Sequence, residues 1–110
     1  ETKPLRQRKY WLGCNWKCNG SVEFIKDSVK NMINDVSYNK QHMGKSAPND
    51  RFSDFLIVPG MLHLPLVQAV LKEGIHVCAQ NCSATAEGAF TGEISCDHLI
   101  DYRINHVMIG

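Results

Sequence analysis

The sequence predicts an α/β protein built around a parallel sheet. Apolar runs alternate along the chain with stretches in which apolar residues recur at helical spacing. The run 55–58 is apolar at every position, which is typical of a strand buried on both faces. Alternating strands and helices predict parallel pairing with right-handed crossovers. The pattern fits half of an eight-stranded α/β barrel, and it also permits a small doubly wound sheet.

Four strands and three helices are predicted in alternation. The first strand opens at Tyr10 with a short apolar run and is expected to be buried. The later strands are expected at 55–58, 75–79 and 106–109. The helices are expected at 21–36, 64–73 and 95–102. Serines at positions 21 and 95 are suitable N-caps, because a serine hydroxyl accepts a hydrogen bond from an unpaired N–H of the first turn. Pro65 suits a first turn, and Gly74 suits the end of a helix.

Each predicted helix carries an apolar stripe that should face the sheet. His76 alternates with apolar neighbours on the third strand, which favours a paired histidine in the core or at its rim. The residues expected to face inward are Ile25, Val29, Met32, Ile33 and Val36 in the first helix, Leu66, Ala69 and Val70 in the second, and Leu99 and Ile100 in the third.

Composition limits the classes of function. The 110 residues are 44% hydrophobic, which suffices for a core, and the net charge of +1 gives no electrostatic case for nucleic acid or an anionic membrane. No apolar run approaches the ~20 residues that a membrane-spanning helix needs.

Five cysteines are an odd number and favour a reducing compartment. Cys14 and Cys18, with Cys78 and Cys82, form two C-x3-C pairs, so a thiolate zinc site is a weaker alternative.

The chain has 110 residues, which is the usual size of one small domain. Residues 1–8 form a basic leader that is either a solvated end or the tail of an organelle transit peptide. Residues 37–53 are polar, are interrupted by glycine and proline, and are expected to form a long surface loop.

Two polar side chains follow the first strand. Alternate residues of an extended chain point the same way, so Asn15 and Lys17 are expected to share one face at the carboxyl end of that strand. Ligands of α/β proteins bind at the carboxyl ends of strands. The compact positive charge of a lysine suits an anionic substrate.

Two strings of residues resemble the triosephosphate isomerase family. Asn-Trp-Lys-Cys-Asn-Gly at 15–20 resembles the family's first loop. Ala-Gln-Asn at 79–81 and Gly-Ala-Phe-Thr-Gly-Glu-Ile-Ser at 88–95 resemble its third strand and third loop. The resemblance extends over 9–110 and implies a (β/α)8 TIM barrel, of which this chain supplies about the first half.

The resemblance implies interconversion of dihydroxyacetone phosphate and glyceraldehyde 3-phosphate through an enediolate, as in glycolysis and gluconeogenesis. Asn15 and Lys17 would bind the substrate, with Lys17 also acting in catalysis by electrostatic stabilisation. No metal or organic cofactor is implied. In the family, the catalytic histidine and glutamate fall beyond the position of Gly110. We therefore expect this segment to pair with the remainder of its own barrel and to be inactive alone.

The resemblance also implies a homodimer formed through the third loop. Thr91 would approach the partner's first loop, and Cys18, Gln80 and Glu93 become interface contacts. The expected compartment is the cytoplasm, with a plastid or another organelle as the alternative. A non-catalytic half-barrel that pairs with another chain is the competing hypothesis for function.

Overall fold

The computed structural model describes residues 10–35 and 53–110. The predicted leader at 1–8 and the loop at 37–52 lie outside these ranges, whereas Ser53, assigned to that loop, opens a strand. The elements are β1 (Tyr10–Asn15), α1 (Val22–Ser28), a π-helical turn (Val29–Ile33), β2 (Ser53–Val58), a 3-10 turn (Met61–His63), α2 (Leu64–Val70), β3 (Ile75–Val77) and α3 (Cys96–Asp101).

The three strands form one parallel sheet in the order β1-β2-β3. Asn15, the last residue of β1, lies opposite Val58, the last residue of β2. Ile75 of β3 lies opposite Phe55 of β2. A parallel sheet whose successive strands are neighbours and are joined by helical segments confirms the predicted α/β class and agrees with a partial barrel.

The predicted fourth strand is much shorter than expected. Within the described residues it is reduced to a parallel bridge between Ala79 and Val107. The Ala79 N–H donates to the carbonyl of His106 at 2.9 Å, and the Met108 N–H donates to the carbonyl of Ala79 at 2.9 Å. The prediction of a strand over 106–109 was therefore too long. Ala79 pairs with this segment through both its N–H and its carbonyl, and among the described residues the pairing goes no further.

β1 was expected to be buried, and this prediction was wrong. All six of its residues are exposed, including the large apolar side chains of Tyr10, Trp11 and Leu12. In the described part of the chain, β1 is an edge strand that pairs with β2 alone. The apolar run therefore predicted the strand correctly, but it did not predict how much of the strand is buried in the described part of the chain.

The cap of α1 was predicted correctly, and its buried face in part. The Ser21 hydroxyl accepts a hydrogen bond from the Phe24 N–H at 3.1 Å. Ile25 and Val29 are fully buried, but Met32 is 69% exposed. The Asn34 N–H donates to the Val29 carbonyl, five residues back, so the helix widens and Met32 leaves the predicted stripe. Val36 lies outside the described residues.

α2 buries a different face from the one predicted. Leu64 and Val67 are buried and Leu66 is half-buried, whereas Ala69 and Val70 are exposed. α2 ends at Val70, with Pro65 in its first turn as expected. Gly74 consequently lies in the turn before β3, at φ +94°, and not at the end of the helix.

α3 is capped by Ser95, as predicted. The hydroxyl of this buried serine accepts from the His98 N–H at 3.2 Å. Leu99 faces the core, but Ile100 is 65% exposed, so the prediction for Ile100 was wrong.

The core lies between the sheet and the helices. Burial of each large aliphatic side chain contributes roughly 1.5–3 kcal/mol to stability. Across the described residues, no helix has the length and apolar character needed to cross a membrane. The buried cluster consists of Ile25, Val29, Ile57, Leu64, Val67, Ile75, Val77, Ala79, Leu99 and Ile104.

Candidate functional site

The carboxyl ends of the strands meet at one edge of the sheet. The chain remains joined to β2 just after β1 ends, because the Trp16 N–H donates to the Val58 carbonyl at 2.9 Å. The side-chain amide of Asn15 contacts the sulfur of Met108 at 3.9 Å, so β1 and the bridged segment approach each other at this edge. The candidate site predicted from the sequence lies at this edge.

Asn15 and Lys17 are brought together by a turn and not by strand alternation. β1 ends at Asn15, and Lys17 has a left-handed backbone with φ of +54°. The Asn15 side-chain oxygen accepts the Lys17 N–H at 2.9 Å. The expected strand alternation therefore does not extend to Lys17, and the bond runs from the Asn15 side chain to the Lys17 backbone. A left-handed residue other than glycine costs on the order of 1–3 kcal/mol, and it persists only where its neighbours hold it.

Gln80 makes a second hydrogen bond that stabilises the same turn. Its side-chain amide donates to the Lys17 carbonyl at 2.7 Å and lies 3.3 Å from the Val58 carbonyl. One amide thus links the ends of three successive strands: the turn after β1, the last residue of β2 and the segment after β3. Lys17 is held through its N–H by Asn15 and through its carbonyl by Gln80.

The residues between the turn and α1 are stabilised by local contacts. The Asn19 side-chain amide donates to the Trp16 carbonyl at 3.0 Å. Gly20 then turns the chain toward α1 with φ of +105°, where a Cβ would meet the side chain of Ile25 at 3.0 Å. The backbone angle favours glycine at this position, and any other residue would also force the Ile25 side chain to shift.

The chemistry of this group suits an anionic ligand. The side chains of Asn15 and Lys17 are exposed on the described chain. The amide nitrogen of asparagine has two N–H donors, and the ammonium of lysine has three. Together they offer a positive charge and neutral donors at the end of a parallel sheet, where ligands of α/β proteins bind.

Thr91 and Glu93 lie on the third loop with exposed side chains. The Glu93 N–H donates to the Phe90 carbonyl at 3.3 Å, and Gly92 between them has φ of +81°. Cys18 is exposed on the first loop. The structure therefore groups Asn15, Lys17 and Gln80, whereas the other three predicted site residues face outward. The interface roles of these residues and of Gln80 remain predictions.

The cysteines are all free thiols, and Cys78 is the buried one. Burial raises the pKa of the Cys78 thiol, and a hydrogen bond with the backbone of Met108 opposes that rise. Over residues 10–35 and 53–110, no group of three or more His, Cys, Asp or Glu side chains could hold a metal ion.

Two features of the site were missed from the sequence. Met108 contacts Asn15, and Gln80 bonds to the Lys17 carbonyl within the chain itself. The two contacts join segments that are 93 and 63 residues apart along the chain, so no local pattern in the sequence could have revealed either of them.

Comparison with known proteins identifies the family. A sequence model described as triosephosphate isomerase matches residues 10–110. The chain belongs to the triosephosphate isomerase family. Its relatives include the cytosolic triosephosphate isomerase of Oryza sativa subsp. japonica, which is 35% identical over 94% of this chain and 37% of the relative.

Two other members of the family align over nearly the same part. The chloroplastic triosephosphate isomerase of Secale cereale is 32% identical over 93% of this chain and 30% of the relative. The cytosolic triosephosphate isomerase of Stellaria longipes is 37% identical over 94% of this chain and 36% of the relative. The chain therefore spans about a third of the length of the curated relatives that it matches.

Proposed function

We propose that this chain is part of a triose-phosphate isomerase and that its first loop supplies the substrate-binding residues Asn15 and Lys17. The observation that carries the proposal is the turn at Lys17. Its left-handed backbone is held by the side chains of Asn15 and Gln80 at the carboxyl edge of a parallel sheet. Family membership and the names of the relatives support the reaction.

Lys17 acts electrostatically in this proposal. Removal of a proton beside the substrate carbonyl builds negative charge on an enediolate, near a phosphate that is already charged. A fixed ammonium stabilises both charges, and its effect is largest where water is excluded. The strained turn supports a fixed position, because an ammonium on a rigid backbone needs little reorganisation during the reaction. Asn15 orients the substrate with a neutral donor.

The rest of the barrel is proposed as the chain's first partner. Over residues 10–35 and 53–110, the outer edge of β1 exposes Tyr10, Trp11 and Leu12, and the opposite end of the sheet carries only the bridge to Val107. Unpaired strand edges and uncovered apolar residues favour further pairing. Further parallel strands of the same barrel would cover both ends and would provide the remaining catalytic groups.

A homodimer is proposed as the second level of assembly, with Cys18, Gln80, Thr91 and Glu93 at the interface. The exposed third loop supports this arrangement. The cytosol is the proposed compartment and a plastid the alternative, since the relatives include cytosolic and chloroplastic enzymes.

The test of the proposed function replaces Lys17 by alanine in the full protein. We expect triose-phosphate turnover to fall by at least about 10²-fold, as when a preorganised electrostatic group is removed. Circular dichroism and the melting temperature should stay near the wild-type values, because the Lys17 side chain is exposed.

Lys26→Ala is the matched control. Lys26 is also an exposed lysine, but it lies on α1 and away from the carboxyl edge. It should keep wild-type kinetics. Near-normal turnover in Lys17→Ala would overturn the assignment, and an inactive but folded wild-type protein would favour the non-catalytic half-barrel.

A further inference from the structure

The third loop, residues 81–95, is closed at its base by a backbone hydrogen bond. The Ser83 N–H donates to the Ile94 carbonyl at 2.7 Å. Cys82 lies next to Ser83, and Cys96, the first residue of α3, lies two positions after Ile94. Their sulfur atoms are 3.4 Å apart, and both thiols are free.

This distance is short enough for a disulfide to form with a small movement. A disulfide bond is about 2.05 Å long, so the two sulfur atoms need to approach by little more than 1 Å. Cys96 is exposed and can change its rotamer, whereas Cys82 is half-buried. The base of the loop already holds the two backbones together.

We propose that Cys82 and Cys96 form a reversible dithiol–disulfide pair that closes the base of the third loop. With hydrogen peroxide as oxidant, the Cys96 thiolate attacks one peroxide oxygen and becomes a sulfenic acid, releasing hydroxide. The Cys82 thiolate then attacks that sulfur, the S–S bond forms, and hydroxide leaves. Two thiols and one peroxide give one disulfide and two waters. A low-molecular-weight dithiol reverses the change by exchange.

The order of the two sulfur atoms follows from their surroundings. The hydrogen bond with Cys96 and partial burial raise the pKa of the Cys82 thiol. Cys82 is therefore the poorer first nucleophile. Exposed Cys96 is the sulfur that a soluble oxidant reaches first, and Cys82 is in place to resolve the sulfenic acid.

The consequence of the disulfide is a constrained loop. The cross-link would limit opening of the segment that presents Thr91 and Glu93, because it removes conformational freedom between positions 82 and 96. An effect on dimer formation rests on the proposed function. The redox pair itself rests only on the contact between the two sulfur atoms.

The test is direct detection of the bond in the full protein. The folded protein is treated with one equivalent of hydrogen peroxide, the remaining thiols are alkylated, and the digest is analysed by mass spectrometry. We expect a peptide pair joined through Cys82 and Cys96, two hydrogens lighter than the reduced peptides and restored by dithiothreitol. Amide exchange at Ser83 should slow in the oxidised form.

Variants separate this pair from the other thiols. Cys96→Ser should abolish the cross-link and the slower exchange, whereas Cys14→Ser should keep both. Cys96 is exposed, so its replacement should not impair folding. Further oxidation of Cys96 without a cross-link, or a disulfide made instead with Cys14 or Cys18, would overturn the proposal. Neither readout depends on isomerase activity, so failure of the redox pair is distinguishable from failure of the proposed function.

Discussion

His106 lies in a cluster of ring and acidic side chains drawn from four segments of the chain. We call Trp11, Asp54, His76 and His106 the histidine cluster. The rings of His76 and His106 are 4.8 Å apart between centroids, and Trp11 lies 5.4 Å from His106. The His76 side chain is 4.0 Å from the Asp54 carboxylate. The predicted rim histidine at position 76 thus has an aromatic and an acidic neighbour.

Protonation of His106 is opposed by its surroundings. Burial lowers the pKa of His106 and the charge of His76 lowers it further, whereas Asp54 acts in the opposite direction. A cavity of about 220 Å³ beside the two histidines is also lined by Lys72, Glu73 and Arg103. At His106 the effects of burial and of His76 on the pKa outweigh the opposite effect of Asp54.

Stability is therefore expected to fall as the pH drops below about 6.5, the ordinary pKa of histidine. In that range the unfolded chain binds the His106 proton more readily than the folded chain, so protonation favours unfolding. The loss should level off below the folded-state pKa. The measurement is the difference in melting temperature between pH 7.5 and pH 5.5.

His106→Gln should show a smaller difference than the wild type, because the titrating group is gone. His76→Gln should also reduce it, since His106 loses its charged neighbour while remaining partly buried. His63→Gln, which alters a histidine outside the cluster, should behave like the wild type. Equal pH sensitivity in wild type and His106→Gln would contradict the prediction.

Among the elements, the two α-helices with a serine cap are the ones whose starts the sequence predicted well. Ser21 and Ser95 both accept a backbone N–H three residues on. Capping depends only on local sequence, which explains the success. The buried faces were predicted less well. The π turn after α1 takes Met32 out of the predicted stripe, and α2 buries Leu64 and Val67 instead of Ala69 and Val70. The π turn has no distinct signature in the sequence.

The same limit applies to the candidate site. Strand periodicity correctly put Asn15 at a carboxyl end, but the left-handed turn at Lys17 depends on Gln80, which is 63 residues away along the chain. A long-range contact of this kind has no local signal. The binding roles of Asn15 and Lys17 are predictions from family resemblance, and the physical reason for the positions of these residues required the folded chain.

The cap of α3 is expected to contribute measurably to stability. Ser95 is only 5% exposed, so in Ser95→Ala the His98 N–H loses its partner with little access to water. We expect a loss of about 1 kcal/mol in the free energy of unfolding, measured by urea denaturation. Ser28→Ala is the control, because Ser28 is within helical backbone and its side chain makes no capping bond.

Ser28→Ala should be neutral or slightly stabilising, since alanine has the higher helix propensity. Equal changes in the two variants would mean that the hydrogen bond to His98 does not stabilise α3.

For the whole molecule, two surfaces of different character require partners in the proposed assembly. The exposed apolar side chains of β1 belong to a sheet edge, where backbone pairing with more of the same barrel is the natural completion. The third loop has no strand edge among the described residues. It presents exposed side chains around a turn at Gly92. Such a loop fits insertion into a pocket of a second copy better than it fits sheet extension.

Insertion of the loop predicts that a charge at its tip will separate the dimer. Thr91→Arg would bury an unpaired guanidinium at the interface, at a cost on the order of 3–5 kcal/mol. By sedimentation velocity at micromolar concentration, the wild type should have the mass of a dimer and Thr91→Arg that of a monomer, with most turnover lost.

Asn31→Arg adds the same charge at an exposed position beyond α1 and should remain dimeric and active. A fully active wild-type monomer, or a Thr91→Arg dimer with normal kinetics, would exclude assembly through this loop.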